Sequence, residues 1–351
     1  MPSNLVIQSR DKLCSSTLIN QINHLGAKRV LLQLPEGFLR PDLLELVKHI
    51  KITDKQVFIS GDACWGGCDM AIEEAIRLNC DLIVHFGHSP YPQIGTTIHN
   101  ASSSQSKPNI PIIWVEIQST QSIQNILEDT FQQVKSRLGS QMSVGLVAPV
   151  QHVHQLAELQ GFLEDRGVNV YLGATGVKTR YPGQILGCTT IKMDSNVEAY
   201  VYLGEGIFHG LNVALSTGKP VLHADPFIGS CNWLDNEVNR LLKKRYALIE
   251  ASRDAKKWGV ILGLRSSQFK PNVVKMVQEW LDSDNRESFS ITLRDITGDR
   301  IMAFSFLDAF VVTACPRIPI DDSDNFIKPV LNVYELGVLL GKNDWTKYKF
   351  Y

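Results

Sequence analysis

The chain has 351 residues, with 35 Lys+Arg against 36 Asp+Glu and a formal net charge of −1. Set against domains of roughly 100–150 residues, that length predicts two or three domains. Apolar residues at 44% and charged residues at 20% supply buried cores and leave little room for long disorder, while a near-neutral balance disfavours direct nucleic-acid binding. No run of about 18 apolar residues is present, so no membrane span is expected. Met1-Pro2-Ser3-Asn4 lacks the basic-then-apolar start of a secretory signal, and a cytoplasmic location is expected. Seven cysteines (14, 64, 68, 80, 188, 231 and 315) in a reducing compartment do not read as a disulfide framework.

Short apolar, β-branched-rich runs alternate with helical patterns along the whole chain, as suits parallel sheets covered on both faces. The first third reads as helix 11–25, strand 29–34, helix 41–51, strand 56–60, helix 69–79, and strands 81–86 and 112–116. The middle third reads as helix 121–137, strand 143–148, helix 152–165, strand 169–172, strand 199–203, helix 206–217 and strand 220–224. The last third reads as helix 235–256, strand 259–264, helix 271–282, and strands 288–294, 308–314 and 329–333, with a short helix after them.

Three final strands resemble one another: Pro111-Ile-Ile-Trp-Val-Glu, Pro220-Val-Leu-His-Ala-Asp and Pro329-Val-Leu-Asn-Val-Tyr, each copy 109 residues from the next (111, 220, 329). Proline often begins a strand by chance, but equal spacing within a repeated element order points to a triplicated unit. The expected fold class is α/β: three similar domains, at 1–118, 119–234 and 235–351, each a small, mostly parallel sheet flanked by helices.

In open parallel sheets, ligands gather beyond the carboxyl ends of the strands. Each third places a cysteine in such a loop: Ser60-Gly61-Asp62-Ala63-Cys64-Trp65-Gly66-Gly67-Cys68-Asp69, Gly183-Gln184-Ile185-Leu186-Gly187-Cys188, and Ala314-Cys315-Pro316-Arg317. Cys68 stands just before an expected helix, whose dipole favours a thiolate. Three converging thiolates suit an iron–sulfur cluster with one iron left open. A three-sulfur zinc site is the competing metal. Cys64-x-x-x-Cys68 is the only close pair and could serve zinc or redox chemistry, whereas Cys14, Cys80 and Cys231 read as packing residues.

Polar groups accompany these loops: His85-Phe86-Gly87-His88-Ser89, Gln151-His152-Val153-His154 and Gly204-Glu205-Gly206. A histidine at a strand end is more often structural than functional, yet together they suggest a polar cavity for a nucleoside-like ligand. Arg240-Leu-Leu-Lys243-Lys244-Arg245 reads as a solvated helix face, with a macromolecular docking surface as the alternative. No P-loop, G-x-S-x-G or H-E-x-x-H pattern occurs.

At these loops the chain resembles the archaeal diphthamide synthase family of the Dph2 type. The stretches that carry the resemblance are Leu34-Pro-Glu-Gly37, Ser60-Gly-Asp-x-x-x-Gly-x-Cys68-Asp69, His85-Phe-Gly-His-Ser89, Gly183-Gln-Ile-Leu-Gly-Cys188 and Ala314-Cys-Pro-Arg-Ile-Pro-Ile-Asp-Asp322. The resemblance implies a [4Fe–4S] cluster at a shared central site, held by Cys68, Cys188 and Cys315, with Cys64 on a position where the family pattern varies. It implies S-adenosylmethionine (SAM) as co-substrate, cleaved reductively at the bond between sulfur and the methionine Cγ to release methylthioadenosine. The 3-amino-3-carboxypropyl radical so formed modifies a histidine of translation elongation factor 2, the first step of diphthamide synthesis. The family's chemistry is that of a non-classical radical-SAM transferase, and the Cx₃Cx₂C motif of ordinary radical-SAM enzymes is absent here. A homodimer and an external electron donor are implied as well. The SAM pocket is expected among Gly61, Asp62, His85, His88, Gln151, Gly204, Arg265, Ser266 and Gln268, although Leu264-Arg265-Ser266-Ser267-Gln268 departs from the family's Lys- or Thr-containing stretch. The alternatives are a quinolinate-synthase-like dehydratase, also built from three such units with one cluster cysteine each, a non-catalytic cluster-binding partner subunit, and a zinc-stabilised binding protein.

Overall fold

The computed structural model describes residues 4–10, 12–90, 110–140, 142–176, 178–188, 196–265 and 267–348. These residues form three sheets. The first holds β1 (Asn4–Arg10), β2 (Arg29–Gln33), β3 (Gln56–Ile59), β4 (Leu82–Phe86) and β5 (Ile112–Gln118), in the order β1-β5-β4-β2-β3. The second holds β6 (Ser143–Val147), β7 (Asn169–Leu172), β8 (Ala199–Leu203), β9 (Val221–Asp225) and β10 (Ser230–Trp233), in the order β10-β9-β8-β6-β7. The third holds β11 (Lys257–Gly263), β12 (Glu287–Leu293), β13 (Ala309–Val312) and β14 (Val330–Asn332), in the order β12-β11-β13-β14.

One four-strand order therefore recurs three times: β5-β4-β2-β3, β9-β8-β6-β7 and β14-β13-β11-β12. The proline-led strands β5, β9 and β14 hold the same place in each sheet, as three copies of one unit require. Pairings of β2 with β3 and β4, of β6 with β7 and β8, and of β11 with β12 and β13 are parallel. Burial follows position. Inner strands β4, β6 and β8 are buried at every residue, while the edge strands β3 and β7 are exposed at both ends. Continuous apolar runs mark the first kind because helices cover both faces.

The chain divides into two compact units: Met1–Leu186, Ile191–Gly206 and Leu222–Asn232 form one, and Gly187–Thr190, Ile207–Val221 and Trp233–Tyr351 the other. The first unit carries the first two sheets and the second carries the third. The helix Phe208–Thr217, which follows β8 in sequence, belongs to the second unit, where its Leu215 is buried with Ile320 and Tyr348.

Several elements differ from expectation. β1 falls where no strand is expected, and it pairs in parallel with β5 from Asn4↔Ile112 to Arg10↔Gln118. Its Ile7 and Ser9 are buried and Gln8 and Arg10 exposed, an alternating edge-strand pattern too short and polar to read as an apolar run. The helix expected at 69–79 covers only Ile72–Arg77. Arg245, read as part of a solvated basic face, is fully buried: its guanidinium meets both Glu335 oxygens at 2.5 and 2.7 Å and the carbonyls of Pro319 and Val330. A helix face is solvated only where nothing packs on it, and here the helix Val333–Leu339 does.

Candidate functional site

In the first unit the carboxyl ends of β2, β3 and β4 build a polar cluster around Gln33, the last residue of β2. The Gln33 side-chain amide donates to the Asp69 carbonyl at 2.6 Å, and its Oε1 accepts from the Ala71 backbone N–H at 3.0 Å. Asp69 N–H closes a turn on the Gly66 carbonyl at 3.0 Å. The helix begins only after these bonds, at Ile72. The expectation that a helix dipole acts on Cys68 is thereby corrected: the helix starts four residues on and is only 6 residues long. What frames the Cys68 thiol is Gly66, whose φ of +157° suits glycine and whose added Cβ would stand 3.4 Å from Sγ.

His85, at the end of β4, points Nδ1 at Gln33 Oε1 (2.9 Å) and Nε2 at His88 Nδ1 (3.0 Å). Its ring packs beside Trp114 with centroids 4.6 Å apart. His85 is 0% exposed. Both of its nitrogens are engaged inside the protein, and it supports the partly exposed His88. Burial, with the neighbouring His88, holds the His85 imidazole well below the usual histidine range, and burial lowers His88 to about 4. Both rings are therefore neutral at physiological pH. Cys64 is buried in the same corner of this unit.

Other predicted residues cluster around these loops. Gly61 and Asp62 are exposed beyond β3. The Gln151 side-chain amide donates to the Gly87 carbonyl at 3.1 Å, tying the loop after β6 to the one after β4. Gly204 offers its carbonyl to His223 Nε2 at 2.8 Å, and that ring stacks on Tyr202 at 5.2 Å.

Sequence reasoning missed a second polar group here. Tyr181 Oη donates to Glu116 Oε2 at 2.6 Å and accepts from the Gln8 amide at 3.0 Å, while Gln184 donates to Ser89 Oγ at 3.1 Å. Glu116 is fully buried, and its Oε1 has no hydrogen-bond partner among the described residues. The available signal was a carboxylate inside the apolar run Ile112–Gln118. A charged residue there needs a partner or a ligand.

In the second unit, Cys188 and Cys315 are partly exposed and close enough to interact electrostatically. Burial pushes the Cys315 thiol up, the Arg317 backbone N–H draws it back, and Cys188 adds to the rise. Gly187 allows a close approach: a Cβ there would stand 2.2 Å from Phe208 Cε1. Arg317, 5% exposed, lies over that same ring and pairs with Asp321 at 2.7 Å. Lys270 donates to the carbonyl of Ala314, next to Cys315, at 3.1 Å. Arg265 is buried and paired with Asp295, and Gln268 is buried close by. Ser266 lies outside the described residues. The structure thus brings Cys188 and Cys315 together within one unit and sets Cys68 in the loop framed by Gly66 in the other.

Among the described residues no helix is long and apolar enough to cross a membrane.

The model of the family described as diphthamide synthesis protein matches residues 34–350. The 2-(3-amino-3-carboxypropyl)histidine synthase of Pyrococcus horikoshii is 35% identical over 95% of this chain and 92% of its own length. The crystal structure of Dph2 from Pyrococcus horikoshii matches with a TM-score of 0.85 at 33% identity, covering 97% of this chain and 93% of that one. The crystal structure of the same protein with a 4Fe-4S cluster matches with a TM-score of 0.81 at 33% identity, covering 95% and 92%.

Proposed function

The chain belongs to the diphthamide synthesis protein family, and from that premise we propose that it is a [4Fe–4S] transferase acting in the first step of diphthamide biosynthesis. Its co-substrate is SAM, and its acceptor is a histidine of translation elongation factor 2. One observation carries this reading: a cysteine closes a strand-end loop in each third of a chain that matches the Pyrococcus horikoshii synthase almost from end to end.

The donor set fits a cluster. Cys68, Cys188 and Cys315 are all thiols outside any disulfide and partly exposed; Cys64, Cys80 and Cys231 are buried, and Cys14, partly exposed as well, packs against the core of the first sheet. Three thiolates hold three irons of a cubane and leave the fourth accessible to a ligand. Held by these residues, such a cluster would supply the single electron that breaks the sulfonium S–Cγ bond and releases methylthioadenosine, and the acceptor imidazole carbon that gains the 3-amino-3-carboxypropyl group would give up its hydrogen as a proton and one electron.

The chain's own residues bind and orient. Asp62 offers an exposed carboxylate suited to the positive charge of SAM, beside Gly61, whose backbone allows close approach. Gln151 and Gly204 stand at the neighbouring strand ends, and Arg265 and Gln268 are the contribution of the third sheet. Gly187 and Phe208 set the Cys188 loop. We assign the three domains to 1–118, 119–234 and 235–351, and read the protein as a cytoplasmic homodimer served by an external electron donor.

Reconstitution with iron and sulfide under anaerobic conditions, followed by reduction and addition of SAM, tests this. Methylthioadenosine is the expected nucleoside; 5′-deoxyadenosine, or no turnover from an intact and reducible cluster, contradicts it. Replacing Cys68, Cys188 or Cys315 by serine is expected to lower iron per chain, and unchanged iron removes that residue from the ligand set.

A further inference from the structure

We propose that Cys64, His85 and His88 form a second metal site, which takes one zinc(II) ion and ties the loop carrying Cys68 to the loop after β4. The proposal stands apart from the cluster assignment, because it uses none of those three cysteines.

The thiol of Cys64 and one ring nitrogen from each histidine all lie within 4.8 Å of one another. A tetrahedral zinc ion, with Zn–N near 2.0–2.1 Å and Zn–S near 2.3 Å, sets its donors roughly 3.3–3.6 Å apart. The 3.0 Å between His85 Nε2 and His88 Nδ1 needs only a few tenths of an ångström of opening to meet that.

Hydrogen-bond bookkeeping fixes which nitrogen can bind. Gln33 is held one way round, since its amide nitrogen must donate to the Asp69 carbonyl and its oxygen accept from Ala71 N–H. His85 Nδ1 faces that same oxygen at 2.9 Å, so Nδ1 carries the proton and Nε2 presents a lone pair. A histidine whose second nitrogen donates to a fixed acceptor is the usual arrangement behind a metal. His88 Nδ1 faces that lone pair at 3.0 Å, and the His88 ring also hydrogen-bonds the backbone of Phe86.

Loading exchanges no electrons. Zinc(II) enters, Cys64 releases its thiol proton to solvent, and His88 binds through Nδ1 with its one proton on Nε2. Cys64 and His85 are 8% and 0% exposed, whereas His88 is partly exposed. The His88 side gives the ion access and leaves its fourth position to water. Cys64 and Cys68 lie on one short loop, so an ion on Cys64 restrains the backbone that presents Cys68.

The test uses the full chain with its cluster reconstituted, dialysed against buffered zinc(II), with iron and zinc counted separately by mass spectrometry. The wild-type protein is expected to hold one zinc per chain beyond its iron. Cys64→Ser and His88→Gln are each expected to weaken zinc binding at least about tenfold, with iron per chain at the wild-type level as the control for folding. Zinc retained equally by both variants, or no zinc beyond the iron in the wild type, overturns the proposal. Cobalt(II) in place of zinc provides a readout in the wild-type chain alone: a thiolate-to-metal charge-transfer band is expected, and its absence also overturns the site. Because the metals are counted separately, failure here and failure of the cluster assignment give different results.

Discussion

The guanidinium carbon of Arg317 lies 3.9 Å from the centre of the Phe208 ring, and that ring occupies the space a side chain on Gly187 would need. The residues before Cys188 and after Cys315 therefore grip a single aromatic ring. Gly187→Ala forces its new methyl into Phe208, an overpacking worth about 1–3 kcal/mol. Iron per chain is expected to fall after reconstitution, and the Gly187→Ala/Phe208→Ala double variant is expected to recover part of it. Iron analysis of the two proteins side by side checks this.

The buried Arg245–Glu335 pair makes a separate prediction about stability. Glu335 also accepts from Tyr348 Oη at 2.6 Å and closes a capping box with Asn332. Arg245→Met leaves that carboxylate buried without its cation, at a cost of about 3–5 kcal/mol. Adding Glu335→Gln removes the stranded charge, so the double variant is expected to lose less than the sum of the single losses. Urea unfolding of the four proteins measures the coupling.

Cys231 predicts a pH dependence. Burial is the main cause that pushes its thiol up to about 12, from an ordinary value of 9.0, against a lowering hydrogen bond from Thr130. The folded chain thus keeps the proton at a pH where the unfolded chain has lost it. Stability from this group is complete below pH 9 and declines as pH rises from 9 towards 12. In the native protein at pH 8, Cys231 is expected to resist alkylation, and it is expected to react once the chain is unfolded in urea. Peptide mapping of alkylated cysteines gives the outcome.

Much of this was legible in the sequence. The repeat of proline-led strands at fixed spacing anticipated that β5, β9 and β14 hold one place in three sheets, because a strand covered on both faces must be continuously apolar. Cys68, Cys188 and Cys315 could be placed at strand ends for the same reason. What escaped was set by tertiary contact. Arg245 looked like one member of a basic run, and nothing local told that Glu335 would cover it. Gln33 reads as the end of a strand, yet it orients His85 and holds the loop after β3 through Asp69 and Ala71. Glu116 was hidden in an apolar run, and its partner Tyr181 lies far along the chain.

The proposed activity is transfer of the 3-amino-3-carboxypropyl group of SAM onto a histidine of elongation factor 2. The most direct measurement incubates the reconstituted, reduced protein with elongation factor 2 and SAM labelled at the methionine carboxyl carbon, and follows the label. Label is expected on the elongation factor, confined to the peptide with the acceptor histidine, with methylthioadenosine released in equal amount, and neither with a Cys68→Ser protein. Label that stays off the elongation factor while an intact cluster turns SAM over would contradict it.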